Sequence, residues 1–466
     1  MAKKIQRNKE QEYLLHQKLV KQLNAGQISR RGFLTRMLAG SLSLAGLSVL
    51  TDSAALGAPA RQDTRPLTPT FYQWIDDLHP GIESVVNPRF DNLNFQIAPV
   101  QGFGVERFVA EARNQESTWD VYVGTTPFVE MVQLKESGAI EPWDPFIPQE
   151  VVDDMIPSIR EEGIVDGQRW AWPFLLDVIV QSWHAGILTE AGLEDAPAAT
   201  WTEYLERAQA IVESGAAPFG ATFDARGWRS LAPFTHSLST DVYTEEGLFD
   251  FRSEPAIEAL KLMKDIMQFA NPDILLEGAS DGGVNDTPDE AAWAAERAGQ
   301  YTKYQNAPIR FAENWVDPDQ VRLGPLPSFE GGEGSTVFWT TGAALFRFGQ
   351  NKEAAAEYMT ELTYDMQIWQ DSIAGTETGR PMQLPPYQSI YAEWEANPPA
   401  WLPDFVGLVR GQLDVAKAIP NHLFGLQQFV IGKPVWETFL TDEESDPAVA
   451  MQNAWDAVQA EINRDA

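Results

Sequence analysis

The sequence contains no cysteine. This absence excludes disulfide bonds, thiol catalysis, thiolate zinc sites and a lipid anchor attached to a cysteine. Histidine is also scarce, because only five occur and none stands in the H-E-x-x-H spacing of a zinc hydrolase. We therefore expect no metal ion, no cofactor and no enzyme built on these groups.

Basic residues are few compared with acidic ones. The chain has 34 Lys and Arg residues and 67 Asp and Glu residues, which give a net charge of −33. Residues 1–60 hold nine of the basic and three of the acidic residues, so the 25 basic and 64 acidic residues that follow carry a net charge of −39. A nucleic-acid-binding protein needs a basic surface that neutralises phosphates. The charge therefore excludes a simple electrostatic nucleic-acid binder.

A long apolar run occurs only near the amino terminus. It spans Met37–Leu50, 14 residues, and follows the segment Ser29–Leu34, whose letters SRRGFL match the twin-arginine export signal. A membrane-spanning helix needs about 20 apolar residues, whereas a signal peptide needs fewer. We predict that Arg30 and Arg31 are read by the twin-arginine translocase.

Small residues after the apolar run offer cleavage sites. Cleavage after Ala55, Ala58 or Ala60 fits the A-x-A pattern, and an uncleaved anchor helix is the alternative. We predict that residues 1–60 form the export signal region and that the rest of the chain is periplasmic.

Strand and helix patterns alternate after residue 60, which favours an α/β architecture. Leu93–Val100 alternates like a strand, a helical pattern begins at Val105, and Trp119–Gly124 has strand character. Ligands of such sheets bind at the carboxyl ends of the strands. We therefore expect Thr125 and Thr126, which end the second strand, at the edge of a binding cleft.

The most informative stretch runs from Asp166 to Val212. Asp166-Gly167 is a turn dipeptide, and the residues from Trp170 to Trp183 are rich in aromatic and β-branched side chains. Pro173 lies inside this run, so we expect two strands with a bend or an edge position in place of one continuous central strand. Thr200 and Glu203 form a capping box that opens a helix.

This stretch resembles the family-1 extracellular solute-binding proteins of ABC importers, the maltose-binding-protein group. The resemblance is carried by Asp166-Gly167, Pro173-Phe174, Asp177 and Thr200-Trp201. It implies an α/β, two-lobe periplasmic-binding-protein fold of type II, with discontinuous lobes joined by a hinge of several segments. The start of the chain departs from the family pattern, which leaves open the role of any residue of the first strand, Trp74 included.

The resemblance also implies lobe boundaries and crossing segments. We expect crossings near residues 175–180, 327–337 and 380–387. The expected lobes are residues 61–176 with 336–385, and residues 177–335 with 386–466.

Several residues are candidates for ligand binding. The resemblance places Asp177 beside the hinge, where an acidic residue commonly touches a sugar, and it places Gln305 and Asn306 facing the cleft. A carboxylate accepts strong hydrogen bonds from adjacent hydroxyls, and amides both donate and accept them. Each could instead have a structural role, Asp177 in an ion pair or hydrogen bond and Asn306 in capping a turn. Arg380 could clamp an acidic sugar, and a surface ion pair is the alternative.

All 16 tryptophans follow residue 60. Aromatic faces stack on the C–H faces of sugars, although most tryptophans in any protein pack in the core. Trp228, in a loop after the hinge, and Trp339, on the strand that returns through it, are the candidates for ligand contact. We expect Trp201, Trp369 and Trp455, on apolar helix faces, to be core residues.

These patterns predict a carbohydrate-binding protein that delivers its ligand to the transmembrane subunits of an ABC permease, with no catalytic residues, and that acts as a monomer. Two alternatives remain open. The same fold could bind a polyamine or an organic acid, or the chain could be an exported enzyme acting on polysaccharide. A polyamine cleft should collect several carboxylates around its aromatic rings, whereas a cleft for an acid should use a cation.

Overall fold

The computed structural model describes residues 65–72, 81–98, 105–275, 287–369, 383–397, 411–442 and 445–465. The predictions made for Arg30, Arg31, Trp74 and Arg380 concern residues outside these ranges.

The strands and helices alternate along the chain. The strands are β1 Pro69–Phe71, β2 Gln96–Ile97, β3 Val121–Thr125, β4 Ile140–Glu141, β5 Ile164–Val165, β6 Gln168–Arg169, β7 Trp172–His184, β8 Thr222–Phe223, β9 Gln300–Tyr304, β10 Val321–Gly324, β11 Val337–Phe346 and β12 Lys417–Ala418. The α-helices are α1 Glu106–Arg113, α2 Val132–Glu136, α3 Gln149–Asp154, α4 Pro157–Arg160, α5 Ala185–Glu190, α6 Trp201–Ser214, α7 Leu231–Leu238, α8 Glu254–Met267, α9 Pro288–Ala294, α10 Asn306–Ala312, α11 Lys352–Tyr364, α12 Gln388–Ala396, α13 Gln427–Thr441 and α14 Pro447–Asp465. Short π-helical and 3₁₀ turns lie at Ile82–Val86, Asn87–Arg89, Pro127–Met131, Gly227–Arg229, Pro272–Leu275 and Pro318–Gln320.

A mixed ten-stranded sheet runs through the molecule in the order β2-β1-β3-β11-β7-β9-β8. The remaining three strands are attached at its middle, since β4 and β12 pair with β11 and β10 pairs with β7. Strands β2, β1 and β3 are parallel, and β11 is antiparallel to both β3 and β7. The predicted α/β fold class is confirmed. No helix in the described part of the chain has both the length and the apolar character that crossing a membrane requires.

Strand β7 is continuous over 13 residues, all of them buried, so the expectation of two strands was wrong, although an irregularity is present beside Pro173 as expected. Pro173 fits because it lies next to a bulge in β7, where Phe174 is the extra residue between Pro173 and Leu175. The register of β11 shifts between Thr341 and Gly342, and Gly342 pairs with Pro173. A Cβ on Gly342 would lie 2.6 Å from the carbonyl oxygen of Trp172, so glycine allows the two backbones to approach where proline cannot donate.

The apolar side chains form two large cores. The first core collects residues of β1, β3, α11 and the start of β7, including Phe71, Val123 and Trp172. The second core collects residues of α6, α8, α13 and α14, including Trp201 and Trp436. Strand β7 joins the cores because its first half pairs with β11 and its second half pairs with β9 and β10. A single strand thus leads from one core to the other.

The turn and the helix cap that the sequence predicted lie at the ends of the strands β5 and β6 and of the helix α6. Asp166 and Gly167 both have positive φ, 53° and 73°, as the tight turn between β5 and β6 requires. Helix α6 begins with the predicted capping box, in which the Thr200 hydroxyl accepts a hydrogen bond of 3.2 Å from the Glu203 backbone amide. The Glu203 carboxylate accepts in turn from the Ala199 amide at 2.8 Å. These turns and caps are confirmed.

Candidate functional site

Asp177 lies in the middle of β7, where the strand passes from the first core to the second. Its cross-strand partner is Trp339 of β11, and directly paired residues point to the same face of a sheet. The side chain is buried, and Oδ1 accepts from Asn306 Nδ2 at 2.8 Å and from Gln305 Nε2 at 3.2 Å. Burial raises the pKa of Asp177 to about 6, and the nearby Arg229 guanidinium opposes that rise. The residue therefore changes charge in mildly acidic solution.

The two amide residues after β9 have different environments. Gln305 is fully buried, with Oε1 accepting from the amide of Val178 at 2.8 Å and Nε2 donating to the carbonyl of Leu176 at 3.1 Å. It holds the β7 backbone on either side of Asp177. Asn306 begins α10, and its buried Oδ1 accepts no hydrogen bond from the described residues. That oxygen is an acceptor beside Asp177 that a ligand hydroxyl could satisfy.

An aromatic group lies on the same face as Asp177. Trp339 contacts Trp228 with a centroid distance of 4.9 Å and Tyr304 with one of 5.8 Å, both edge to face. The Arg229 guanidinium lies over all three rings, 4.2 Å from Trp228, 4.7 Å from Tyr304 and 5.8 Å from Trp339. Its Nε is buried and has no partner among the described residues. The site thus offers ring faces, one unpaired donor and one unpaired acceptor.

Arg229 forms part of a buried network of ion pairs. Lys303 of β9 has a fully buried side chain and forms ion pairs with Asp224 at 3.1 Å, Asp289 at 2.7 Å and Glu290 at 2.7 Å. Asp224 also accepts from Arg226 and from Arg229, the latter at 3.2 Å. Burial by itself would raise the pKa of Asp224, but Arg226, Lys303 and Arg229 outweigh it and hold that pKa well below its usual value. The carboxylates of this network are therefore neutralised by the protein's own cations.

Strand β3 ends at Thr125, with Thr126 directly after it, at the carboxyl edge of the sheet, and both residues are buried. The Thr125 hydroxyl is buried and has no partner within the described ranges. The next residues lead directly to the aromatic group, because the Phe128 ring lies 5.5 Å from that of Trp228. Two segments, one before β7 in the chain and one after it, therefore meet near the candidate site.

Several residues of this site carried no signal in the sequence. Arg229 and Tyr304 were not candidates, and Asp224 and Lys303 were not expected to form a network. The clue to Arg229 was its position directly after Trp228, which we had selected for its place in the loop. Nothing in the sequence indicated that residues as distant as Asp224 and Lys303 would pair. Among the residues that the structure describes, no group of side chains could hold a metal ion.

One family of known proteins matches the chain. The sequence profile of the bacterial extracellular solute-binding protein family matches residues 80–366, which is more than half of the chain. No curated protein sequence matches the chain.

Solved structures share the fold at low sequence identity. The GacH receptor of Streptomyces glaucescens, solved without ligand and with acarbose, is 16% identical, with 85% of this chain and 99% of the receptor covered and a TM-score of 0.67. The maltose-bound MalE3 protein of T. maritima gives the same four values: 16%, 85%, 99% and 0.67. A solute-binding protein of Agrobacterium vitis with bound D-mannitol is 17% identical, with 86% of this chain and 99% of that chain covered and a TM-score of 0.62.

Proposed function

The chain belongs to the bacterial extracellular solute-binding protein family, and from this we propose that it captures a carbohydrate between two lobes and delivers it to the transmembrane subunits of an ABC permease. The observation that carries the carbohydrate assignment is the combination of groups on one face of β7 and β11. Trp228, Trp339 and Tyr304 provide ring faces for the C–H faces of a sugar. Asp177 and Asn306 provide buried acceptors for its hydroxyls.

The charges around the rings favour a neutral ligand. A polyamine site would have carboxylates without a cationic partner in the protein. Here Asp224, Asp289 and Glu290 each form an ion pair with Lys303. A site for an organic acid would present a free cation, yet Arg229 is paired with Asp224. A sugar needs neither charge, because its hydroxyls are satisfied by single donors and acceptors such as Arg229 Nε and Asn306 Oδ1.

We propose that the two cores are the two lobes and that β7 and β11 are crossing segments. Support comes from the composition of the cores, because the first draws on residues 67–175 and 343–394 and the second draws mainly on residues 179–339 and 419–458. The third crossing then follows α12, since Tyr391 and Trp394 pack in the first core. The expected lobes were residues 61–176 with 336–385 and residues 177–335 with 386–466, and the shift of the third crossing moves α12 from the second of these lobes to the first. The ligand would bind more tightly to the closed arrangement of the lobes than to the open one, so ligand binding would shift the protein to the closed state.

The proposal includes export through the twin-arginine translocase, read from Arg30 and Arg31, with release into the periplasm as a monomer. It also includes the absence of catalysis, supported by the aromatic and amide character of the site. A bound sugar should therefore leave the protein chemically unchanged.

The test is a titration of intrinsic tryptophan fluorescence with mono- and oligosaccharides, polyols, polyamines and sugar acids. It uses the chain from residue 61 onward, which contains the compact unit that begins at Arg65. We expect a saturable change with a carbohydrate that is lost in Asp177→Ala and Trp228→Ala and kept in Trp455→Phe, a tryptophan of α14. A response only to a polyamine or an acid would show that the ligand is not a carbohydrate and would assign it to that other class. Recovery of a chemically altered sugar would refute the binding-protein assignment.

A further inference from the structure

The connection between β3 and α2 leaves one core and enters the other. It consists of the π-helical turn Pro127–Met131, at the start of which Phe128 and Val129 are buried in the second core. Met131 and Leu134 return to the first core. Since β3 and α2 both belong to the first core, this turn carries two residues of the first lobe, Phe128 and Val129, into the second core.

The Phe128 ring extends the aromatic group of the candidate site. Its centroid lies 5.5 Å from that of Trp228 at an interplanar angle of 61°, and Trp228 contacts Trp339 in the same edge-to-face manner. Phe128 is about 1% exposed, so its ring is buried against its neighbours. A displacement of the turn would therefore be transmitted to Trp228 through ring packing.

A second contact joins the backbone of the turn to Gly425, which lies just before α13. A Cβ built on Gly425 would lie 2.2 Å from the carbonyl oxygen of Phe128 and 3.2 Å from its carbonyl carbon. The neighbour of Gly425, Leu426, is buried in the second core. The approach is therefore between two backbones that belong to different lobes in the proposed division of the chain, and any side chain at position 425 would prevent it.

On the basis of the proposed function, we infer that Phe128 and Gly425 form the contact that determines how far the two lobes close. They are positioning residues: Gly425 admits the Phe128 carbonyl, and the Phe128 ring then sets the place of Trp228. An alanine at position 425 needs the carbonyl to retreat from 2.2 Å to at least 3.0 Å, a separation of about 0.8 Å. The apparent affinity of a binding protein is proportional to the fraction of its molecules that can close. A variant that closes less often therefore binds its ligand more weakly by the same factor.

The test measures closure directly. The absence of cysteine allows two exposed positions, Glu357→Cys on α11 of the first core and Asn453→Cys on α14 of the second, to carry spin labels in the full chain. Distances between the labels are measured by double electron–electron resonance, without sugar and with each sugar of the panel at saturation. The matched control is Gly411→Ala, because a Cβ there meets nothing within 4 Å.

We expect a short-distance population in the labelled parent and in Gly411→Ala that Gly425→Ala reduces at least tenfold, with a similar loss of sugar affinity. Phe128→Ala, which keeps the carbonyl but removes the ring, should reduce the population less; it provides the test if Gly425→Ala does not fold, as judged by circular dichroism. Identical distance distributions for the parent and both contact variants would overturn the inference. If no sugar binds, the proposed function fails, and the distributions without sugar still decide whether the contact controls closure.

Discussion

The pH dependence of ligand binding is the sharpest test of Asp177. Because burial raises its pKa to about 6, the ionised fraction falls from about nine-tenths at pH 7 to about one-tenth at pH 5. The ionised carboxylate is the form that accepts hydroxyl hydrogen bonds best. We therefore expect the dissociation constant of the bound sugar to rise about tenfold between pH 7 and pH 5, equivalent to about 1.4 kcal/mol.

Asp177→Asn separates this effect from other titrations. The amide keeps the shape of the side chain but has no charge to lose, so its binding should not change between pH 7 and pH 5. At pH 7 it should bind about ten to a hundred times more weakly than the parent, because a hydrogen bond to a charged group contributes about 1.5–3 kcal/mol. Asp177 does not itself unfold the protein in acid. A carboxyl whose folded pKa is raised above 3.8 loses its stabilising contribution as pH rises towards 6, and regains it as pH falls.

Isothermal titration calorimetry from pH 5 to pH 8, with the sugar that the fluorescence panel identifies, provides the measurement. Two results would contradict the reasoning. One is a parent protein whose affinity does not change over this range, and the other is an Asp177→Asn variant that keeps the parent's pH dependence. Circular dichroism at each pH confirms that both proteins remain folded.

Three further predictions concern other residues. Burial raises the pKa of Glu130 well above its usual range, so the parent's free energy of unfolding should fall by up to about 1.4 kcal/mol per pH unit above pH 4.5; urea unfolding of Glu130→Gln should lack this fall. Lys303→Met leaves buried carboxylates unpaired and should cost about 3–5 kcal/mol in urea unfolding, whereas exposed Lys261→Met should stay within about 0.5 kcal/mol. Arg30→Lys with Arg31→Lys should leave the protein in the cytoplasmic fraction on immunoblots, and periplasmic accumulation would contradict the export assignment.

Much of the fold could be predicted because its signals are local. The Asp166-Gly167 turn and the Thr200 cap depend on backbone conformations and hydrogen bonds that span only a few residues. The aromatic and β-branched run from Trp170 to Trp183 predicted that Asp177 lies on a strand, and this is confirmed. Its role in binding remains a prediction.

Other features depended on contacts between distant residues. The β7 strand accommodates Pro173 beside a bulge at Phe174, and Gly342, far along the chain, lets the two backbones approach there. The contact of Arg229 with Tyr304 also required the folded chain, because neither residue is near the other in sequence. Propensity rules describe a residue by its neighbours in sequence, so they cannot anticipate such partners.

By itself, the sequence determined the α/β class, the turns and the helix caps, because these depend on periodicity and on local hydrogen bonding. It also identified Asp177, Trp228 and Trp339 as candidates for ligand binding. Only the tertiary structure decided that these three lie together with Arg229 over the two tryptophan rings, and that Gly425 meets the backbone of Phe128. The physical reason is that burial, pKa and close backbone approach belong to pairs of residues brought together by folding, and no single stretch of sequence contains both members of such pairs.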